Sequence, residues 1–160
     1  VIVTSQNDGS GFFVQDADGG THSGIYIYGT SMDVSVGDQM TVTGEVVEYY
    51  DFTEIVVGSD SDISITGEGT VSVTILTGPP SDWEAYEGML IQFESIGLTS
   101  DPDEYGQSQT SWSDLTVDDK FYTYMNDFSS GDDFSSITGL LAYSYSSWRI
   151  YPRDIDDFAW

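Results

Sequence analysis

Two stretches of this chain repeat one pattern, and they decide its architecture. Residues 43–55 read TGEVVEYYDFTEI, and residues 138–150 read TGLLAYSYSSWRI. Both have thirteen residues and align without a gap, with Thr-Gly at the start, a tyrosine at the eighth position (Tyr50 and Tyr145) and isoleucine at the end. A Gly-Asp pair precedes each stretch, at 37–38 and 131–132. Internal repetition indicates repeated structural units, so we predict two related β-modules in tandem.

The rest of the chain carries the alternation expected of short β-strands. Residues 24–29, GIYIYG, place Ile25 and Ile27 on one face and two tyrosines on the other. Residues 46–50 and 54–57 predict a hairpin that turns at residues 50–52. In the second half we predict strands at about residues 89–93, 96–99, 115–117, 121–124, 137–143 and 148–151.

Short strands separated by Gly, Asp and Ser turns are typical of an all-β barrel or sandwich. Five-stranded OB-like barrels fit the size of each repeat. We therefore predict an all-β fold of two tandem OB-like β-barrel modules, residues 1–78 and residues 79–160, with one short linking helix.

The linking helix is predicted at the start of the second module. Ser81 and Glu84 have the spacing of a capping box, and Gly88 provides a left-handed stop. Trp83 and Tyr86 are three residues apart and should share one face. We expect that face to pack on a barrel or between the modules.

The net charge is extreme. Twenty-eight Asp and Glu face three basic side chains, Lys120, Arg149 and Arg153, so the formal charge is −25. Three cations cannot neutralise many phosphates, which argues against strong duplex binding, although the three could form one local patch in the second module. Self-repulsion of the acids is relieved by salt or divalent cations, so the composition fits a calcium-containing extracellular medium, seawater or a salt-rich habitat.

The chain has no cysteine and no apolar run of the ~18 residues needed to cross a bilayer. The absence of cysteine excludes a disulfide scaffold without fixing the compartment. The first residues, VIVT, resemble the end of a strand, and we expect the chain to be part of a larger protein that is secreted or on the cell surface.

Asp16 and Asp18 are the candidate metal ligands. The stretch DADGG at residues 16–20 resembles the first part of a calcium loop, with carboxylates two residues apart followed by glycine for the turn. The later glutamate of a complete loop is missing, and Asp and Gly also favour ordinary turns. Calcium is the predicted cofactor, with a simple solvated turn as the alternative.

No catalytic constellation is recognisable in the sequence, and only a pair of carboxylates for glycoside hydrolysis stays open, because some of 28 acids will always lie close together. His22 is the only histidine and lies in a glycine-rich loop, where a triad would also need a nucleophile and an orienting acid beside it. There is no zinc motif, P-loop or dinucleotide fingerprint. We therefore expect a non-catalytic chain.

Aromatic residues are the best candidates for a binding surface: Tyr26 and Tyr28 on one strand, Tyr49, Tyr50 and Phe52 in the first hairpin, and Tyr143, Tyr145 and Trp148 in the second. Tyr143, Tyr145, Trp148 and Arg149 cluster in the second repeat, where OB barrels stack bases or sugars on aromatic side chains. Aromatic residues also favour strands and fill small cores, so a structural role is the alternative for many of them.

Several segments, in this order, carry a resemblance to a known family: GFFVQD at 11–16, GIYIY at 24–28, VGD at 36–38, VTGEV at 42–46, WEAYEGML at 83–90, VDD at 117–119 and IYPR at 150–153. Together the segments resemble the non-catalytic region of large secreted bacterial and archaeal nucleases, in which OB-like modules precede a catalytic domain of the endonuclease/exonuclease/phosphatase type. The resemblance implies tandem OB-like modules, secretion and work on or near extracellular DNA.

Three functions follow as hypotheses. The first is a non-catalytic accessory module that positions the catalytic domain of a secreted nuclease-like protein, or weakly contacts single-stranded nucleic acid through Tyr143, Tyr145, Trp148 and Arg149. The second is a calcium-stabilised carbohydrate-binding or adhesion module of a cell-surface protein, for which an acidic surface is no handicap. The third is a structural spacer whose acids only keep it solvated.

Overall fold

The protein is all-β, as predicted. The computed structural model describes residues 1–160 as two β-sheets, three single-turn 3-10 helices and no α-helix. The strands of the first sheet are β1 (Ile2–Val3), β2 (Gly11–Gln15), β3 (Gly24–Tyr28), β4 (Asp38–Val42), β5 (Glu45–Glu48), β6 (Thr53–Val56) and β7 (Ile63–Glu68). Those of the second sheet are β8 (Thr74–Leu76), β9 (Leu90–Gly97), β10 (Gln107–Gln109), β11 (Leu115–Asp118), β12 (Asp133–Ser144), β13 (Ser147–Tyr151) and β14 (Phe158–Ala159).

The two sheets share a pattern of strand pairing. The first has the order β5-β6-β3-β2-β1-β4-β7, and the second has the order β10-β11-β13-β12-β9-β8 with β14 beside β12. In each sheet the strand after the repeated hairpin turn pairs in parallel with an earlier strand, β6 with β3 and β13 with β11. No closed barrel is found among these pairs, so the structure confirms two β-sheets and leaves the tandem of barrels unconfirmed.

The sequence repeat is a structural repeat. Strands β4 and β5, interrupted only at Thr43 and Gly44, correspond to the single long strand β12, and β6 corresponds to β13. Each copy turns back through a two-residue hairpin, at 50–51 and at 145–146. The predicted hairpin of the first copy is therefore confirmed, and its counterpart lies at the matching position of the second.

The predicted linking helix is only a single 3-10 turn, and its predicted capping box is wrong. Residues 84–86 form one 3-10 turn whose N-cap is Trp83, and the Ser81 side chain caps nothing. The backbone leaves the helical region at Glu87, with ψ of 141°, Gly88 follows with φ of 72°, and β9 begins at Leu90, so no longer helix forms. Trp83 and Tyr86 nevertheless pack against the core of the second sheet. No helix of the protein has the length and apolar character that spanning a membrane requires.

The division of the chain between the sheets falls slightly before the predicted boundary. The first sheet uses residues 2–68, and the second begins with β8 at residues 74–76, which pairs in parallel with β9. The predicted units 1–78 and 79–160 therefore place β8 with the first module, whereas its hydrogen bonds lie with the second sheet.

Each sheet has its own hydrophobic core, and a third cluster joins them. The first core includes Phe12, Val14 and Ile27, and the larger second core includes Phe93, Leu141 and Ile150. The alternate residues of the same strands form the third cluster: Phe13, Tyr26, Leu90, Leu140, Ala142 and Tyr151. Side chains of successive strand residues point to opposite faces, so the sheets pack together through the faces that do not cover their own cores.

Polar contacts and a close backbone approach complete this interface. The fully buried Gln15 accepts a hydrogen bond from the Leu90 amide at 2.9 Å. Gly24 lies so close to Gly88 that a Cβ on either residue would overlap the backbone of the other. The glycines therefore permit the approach, and the interface holds the two repeated hairpins beside one shared cleft.

Candidate ligand-binding cleft

The two repeated hairpins present a tyrosine at the same turn position. Tyr50 and Asp51 have φ of 51° and 62°, and Tyr145 and Ser146 have φ of 50° and 63°. This left-handed region suits the Asn-Gly pairs that usually occupy such turns and is unfavourable for a bulky side chain. Both turns therefore hold a tyrosine against the local backbone preference, which is typical of a functional position.

A cleft of about 750 Å³ opens between the two sheets, with both hairpin tips in its lining. This volume is in the range of small-molecule and cofactor sites. Its most exposed aromatic side chains are Tyr28 (45% exposed), Tyr49 (60%), Tyr50 (82%) and Tyr145 (89%). Rings left in water beside a concave surface are available to a ligand without loss of core packing.

One ion pair between the modules lies in the cleft wall. The Lys120 ammonium is 2.6 Å from Asp8 Oδ2, and the Tyr26 hydroxyl donates to the same oxygen at 2.8 Å. Burial opposes ionisation of Asp8, but hydrogen bonds from Lys120, Ser10 and Tyr26 outweigh it, and the pKa of Asp8 is lowered. Burial, with Asp8 alongside, raises the pKa of Tyr26. Lys120 is thus already committed to a carboxylate of the protein.

The four predicted ligand-binding residues do not all reach the cleft. Tyr143 and Tyr145 line it. Trp148 stacks on Trp83, with ring centroids 6.0 Å apart and planes 17° apart, and lies outside the lining. Arg149 is only 6% exposed and supports the site from behind, because its guanidinium lies 5.3 Å from the Tyr145 ring centroid.

None of the three basic side chains is free. Arg149 pairs with Asp118 at 2.5 Å and Arg153 pairs with Asp157 at 2.7 Å, in addition to the Lys120 pair. Each basic side chain of the local patch considered from the sequence therefore forms an ion pair with a different aspartate. The cleft itself is lined by Asp8, Asp51 and Glu54, so its electrostatic character is acidic.

The predicted metal ligands Asp16 and Asp18 lie in an exposed turn. Gly19, with φ of 66°, donates its amide to the Asp16 carbonyl at 3.1 Å, so the turn closes through its own backbone. No group of three or more His, Cys, Asp or Glu side chains is placed to hold a metal ion. The calcium prediction at these two residues stays a prediction.

Sequence reasoning considered the aromatic residues of the first module but placed the selected ligand-binding residues in the second module alone. Tyr28, Tyr50 and Glu54 also line the cleft, and Glu54 was assigned only to a strand. The repeat itself carried the signal, because position 50 aligns with the predicted ligand residue at position 145. What the repeat could not show is that the two hairpins meet across one interface.

The chain matches no family model, no curated protein and no solved structure.

Proposed function

We propose that the chain is a non-catalytic carbohydrate-binding module of a secreted or cell-surface protein, and that the cleft between its sheets holds the glycan. One observation carries this proposal. Equivalent hairpins of the two repeats each place a strained, almost fully exposed tyrosine, Tyr50 and Tyr145, at the same aromatic cleft.

The chemistry of the cleft favours a sugar over a polyphosphate. Aromatic faces can stack on the apolar faces of sugar rings, and carboxylates accept hydrogen bonds from hydroxyl groups. A nucleic acid would bring further negative charge to a chain of net charge −25 whose three basic side chains are all ion-paired. Since phosphate neutralisation provides most of the affinity for nucleic acids, a neutral or cationic ligand suits this site better.

The OB-like architecture is part of the same proposal. Both sheets share the order of the repeated strands and the parallel pairing, and a lone bridge between Leu98 and Thr110 links the end of β9 to the end of β10. In this interpretation each half is a partly open five-stranded barrel. OB folds bind oligosaccharides as well as oligonucleotides.

A role beside the catalytic domain of a secreted nuclease-like parent is a second proposal. The parallel pairs in both halves fit the OB-like modules that the sequence resemblance implies. In this role the chain would position the catalytic domain, or contact single strands weakly by stacking on Tyr145. Titration with single-stranded oligonucleotide at low salt tests it: the contact predicts a change in tryptophan fluorescence, and an unchanged signal would rule the contact out.

The test of the glycan proposal is a glycan array followed by calorimetric titration of the best binder. Tyr50→Ala and Tyr145→Ala should each weaken binding about tenfold or more, because a buried aromatic anchor contributes about 2 kcal/mol in typical interfaces. Tyr105→Ala is the matched control, since Tyr105 is 69% exposed and lies outside the cleft. Equal affinity in all three variants, or an array without a binder, would contradict the proposal.

A further inference from the structure

Glu54 is a carboxylate in the cleft without a partner. Only 6% of the residue is exposed, yet it contributes to the lining of the cleft. Its side chain makes no hydrogen bond, and none of the three salt bridges of the protein includes it. The carboxylate oxygens keep some contact with solvent in the cleft, and burial raises the pKa of Glu54. A donor or a cation that enters the cleft would compensate for this partial loss of hydration.

In the second repeat, the buried charge at the equivalent position is compensated by an ion pair. Glu54 aligns with Arg149, four residues after Tyr50 and Tyr145 respectively, and both residues lie on the strand that pairs in parallel with an earlier one. Arg149 is buried to the same extent, 6% exposed, but it forms an ion pair with Asp118. The strand residue that matches Asp118 in the first repeat is Tyr28, which carries no charge. The first repeat therefore has one half of a buried ion pair.

The surroundings of Glu54 suit a cation from the ligand. Tyr26 is its direct neighbour on β3, and Phe52, just before β6, has its ring centroid 5.9 Å from that of Tyr26 and lines the same cleft. Aromatic rings attract ammonium groups through their negative faces. The nearby Lys120 cannot complete the pair, because its ammonium is bound to Asp8.

We propose that Glu54 receives a protonated amine of the bound glycan, so that the cleft selects amino sugars over neutral sugars. This inference rests on the proposed carbohydrate function and specifies its ligand. The tyrosines at the hairpin tips stack on the sugar rings, and the Glu54 carboxylate accepts a charge-assisted hydrogen bond from the amine.

The experiment compares three trisaccharides by calorimetric titration at pH 6 and 150 mM sodium chloride: one of glucosamine, its N-acetylated form and one of glucose. A charge-assisted hydrogen bond predicts that the glucosamine trimer binds about tenfold to a hundredfold tighter than the other two. Glu54→Gln should reduce this preference to about onefold, chiefly by weakening the glucosamine trimer. Glu54→Asp keeps the charge and should keep part of the preference.

A matched control separates a local contact from the overall charge. Glu45→Gln removes the same charge from an exposed residue of the neighbouring strand that does not line the cleft, and it should leave the preference intact. Equal binding of the three trimers, or a preference that survives in Glu54→Gln, would overturn the amine inference and leave the carbohydrate function standing. Binding of none of the three, together with an array without a binder, would overturn the proposed function itself.

Discussion

Glu87 gives the sharpest prediction about stability. The residue is 7% exposed at the interface between the sheets, where its Oε2 accepts the Thr53 amide at 3.0 Å and its Oε1 is buried without a partner. Burial raises the pKa of Glu87 from 4.5 to about 7, although the Thr53 hydrogen bond acts in the opposite direction. The folded state therefore favours the protonated carboxyl more strongly than the unfolded state does.

The sign and size of the effect follow from linkage. Because the folded pKa is the higher one, the stabilising contribution is fully present below pH 4.5 and is lost as the pH rises through about 7. A difference of this size corresponds to up to about 3 kcal/mol at pH 8. Glu87→Gln stays neutral at every pH, so at pH 8 it should melt about 6 to 12 °C higher than the wild type, whereas at pH 4.5 the two should melt together.

Scanning calorimetry at pH 4.5, 6, 7 and 8 measures this difference. Glu104→Gln is the control, because it removes one acid from an exposed loop and reports only the general relief of repulsion. If Glu87→Gln gains no more than Glu104→Gln between pH 4.5 and pH 8, then Glu87 is not the buried titrating group described here.

Three further predictions test the hairpins, the interface and the acidic surface. Tyr50→Asn and Tyr145→Asn should each raise the melting temperature by about 2 to 4 °C, because asparagine relieves about 1 kcal/mol of left-handed strain. Both substitutions should also weaken glycan binding. Lower melting temperatures would show that the turns are unstrained. Gly24→Ala should lower the free energy of unfolding by about 1 to 3 kcal/mol, because the added methyl group overlaps the opposite backbone. Gly78 has open space around it, so Gly78→Ala should change the free energy of unfolding little. Equal denaturant midpoints of the two variants would contradict the close packing. Molar sodium chloride should raise the melting temperature by screening the net charge of −25. Calcium should raise the melting temperature further than magnesium does, and Asp16→Asn should remove this additional rise. The same rise with every salt would mean that charge screening explains the whole effect.

The alternation of apolar and other residues predicted strands whose position depends mainly on neighbouring residues. Alternation placed Ile27 in the core and Tyr26 on the opposite face, and the structure has Ile27 in the first core and Tyr26 between the sheets. The aromatic run at residues 121–124 predicted a strand but forms a loop. There Tyr124 is completely buried and donates to the Val117 carbonyl at 3.0 Å, so tertiary packing decides its place.

The cleft could be predicted only in part, because it depends on how the modules pack. Tyr143 and Tyr145 were identified from their clustering, and they do line it. Arg149 was expected to contact ligand, but its partner Asp118 is 31 residues away in sequence, and no local pattern predicts that ion pair. The unpartnered state of Glu54 is visible only when the two repeats are compared in three dimensions.

An amide-resolved NMR titration of the 160-residue chain with the best glycan from the array shows directly whether both hairpins contact one ligand. A shared cleft predicts chemical-shift changes concentrated at residues 49–54 and residues 143–146, the two hairpin segments that border the cleft, with little change near the exposed turn at residues 16–20. Saturable changes confined to one hairpin, or located away from both, would contradict a shared site between the two sheets.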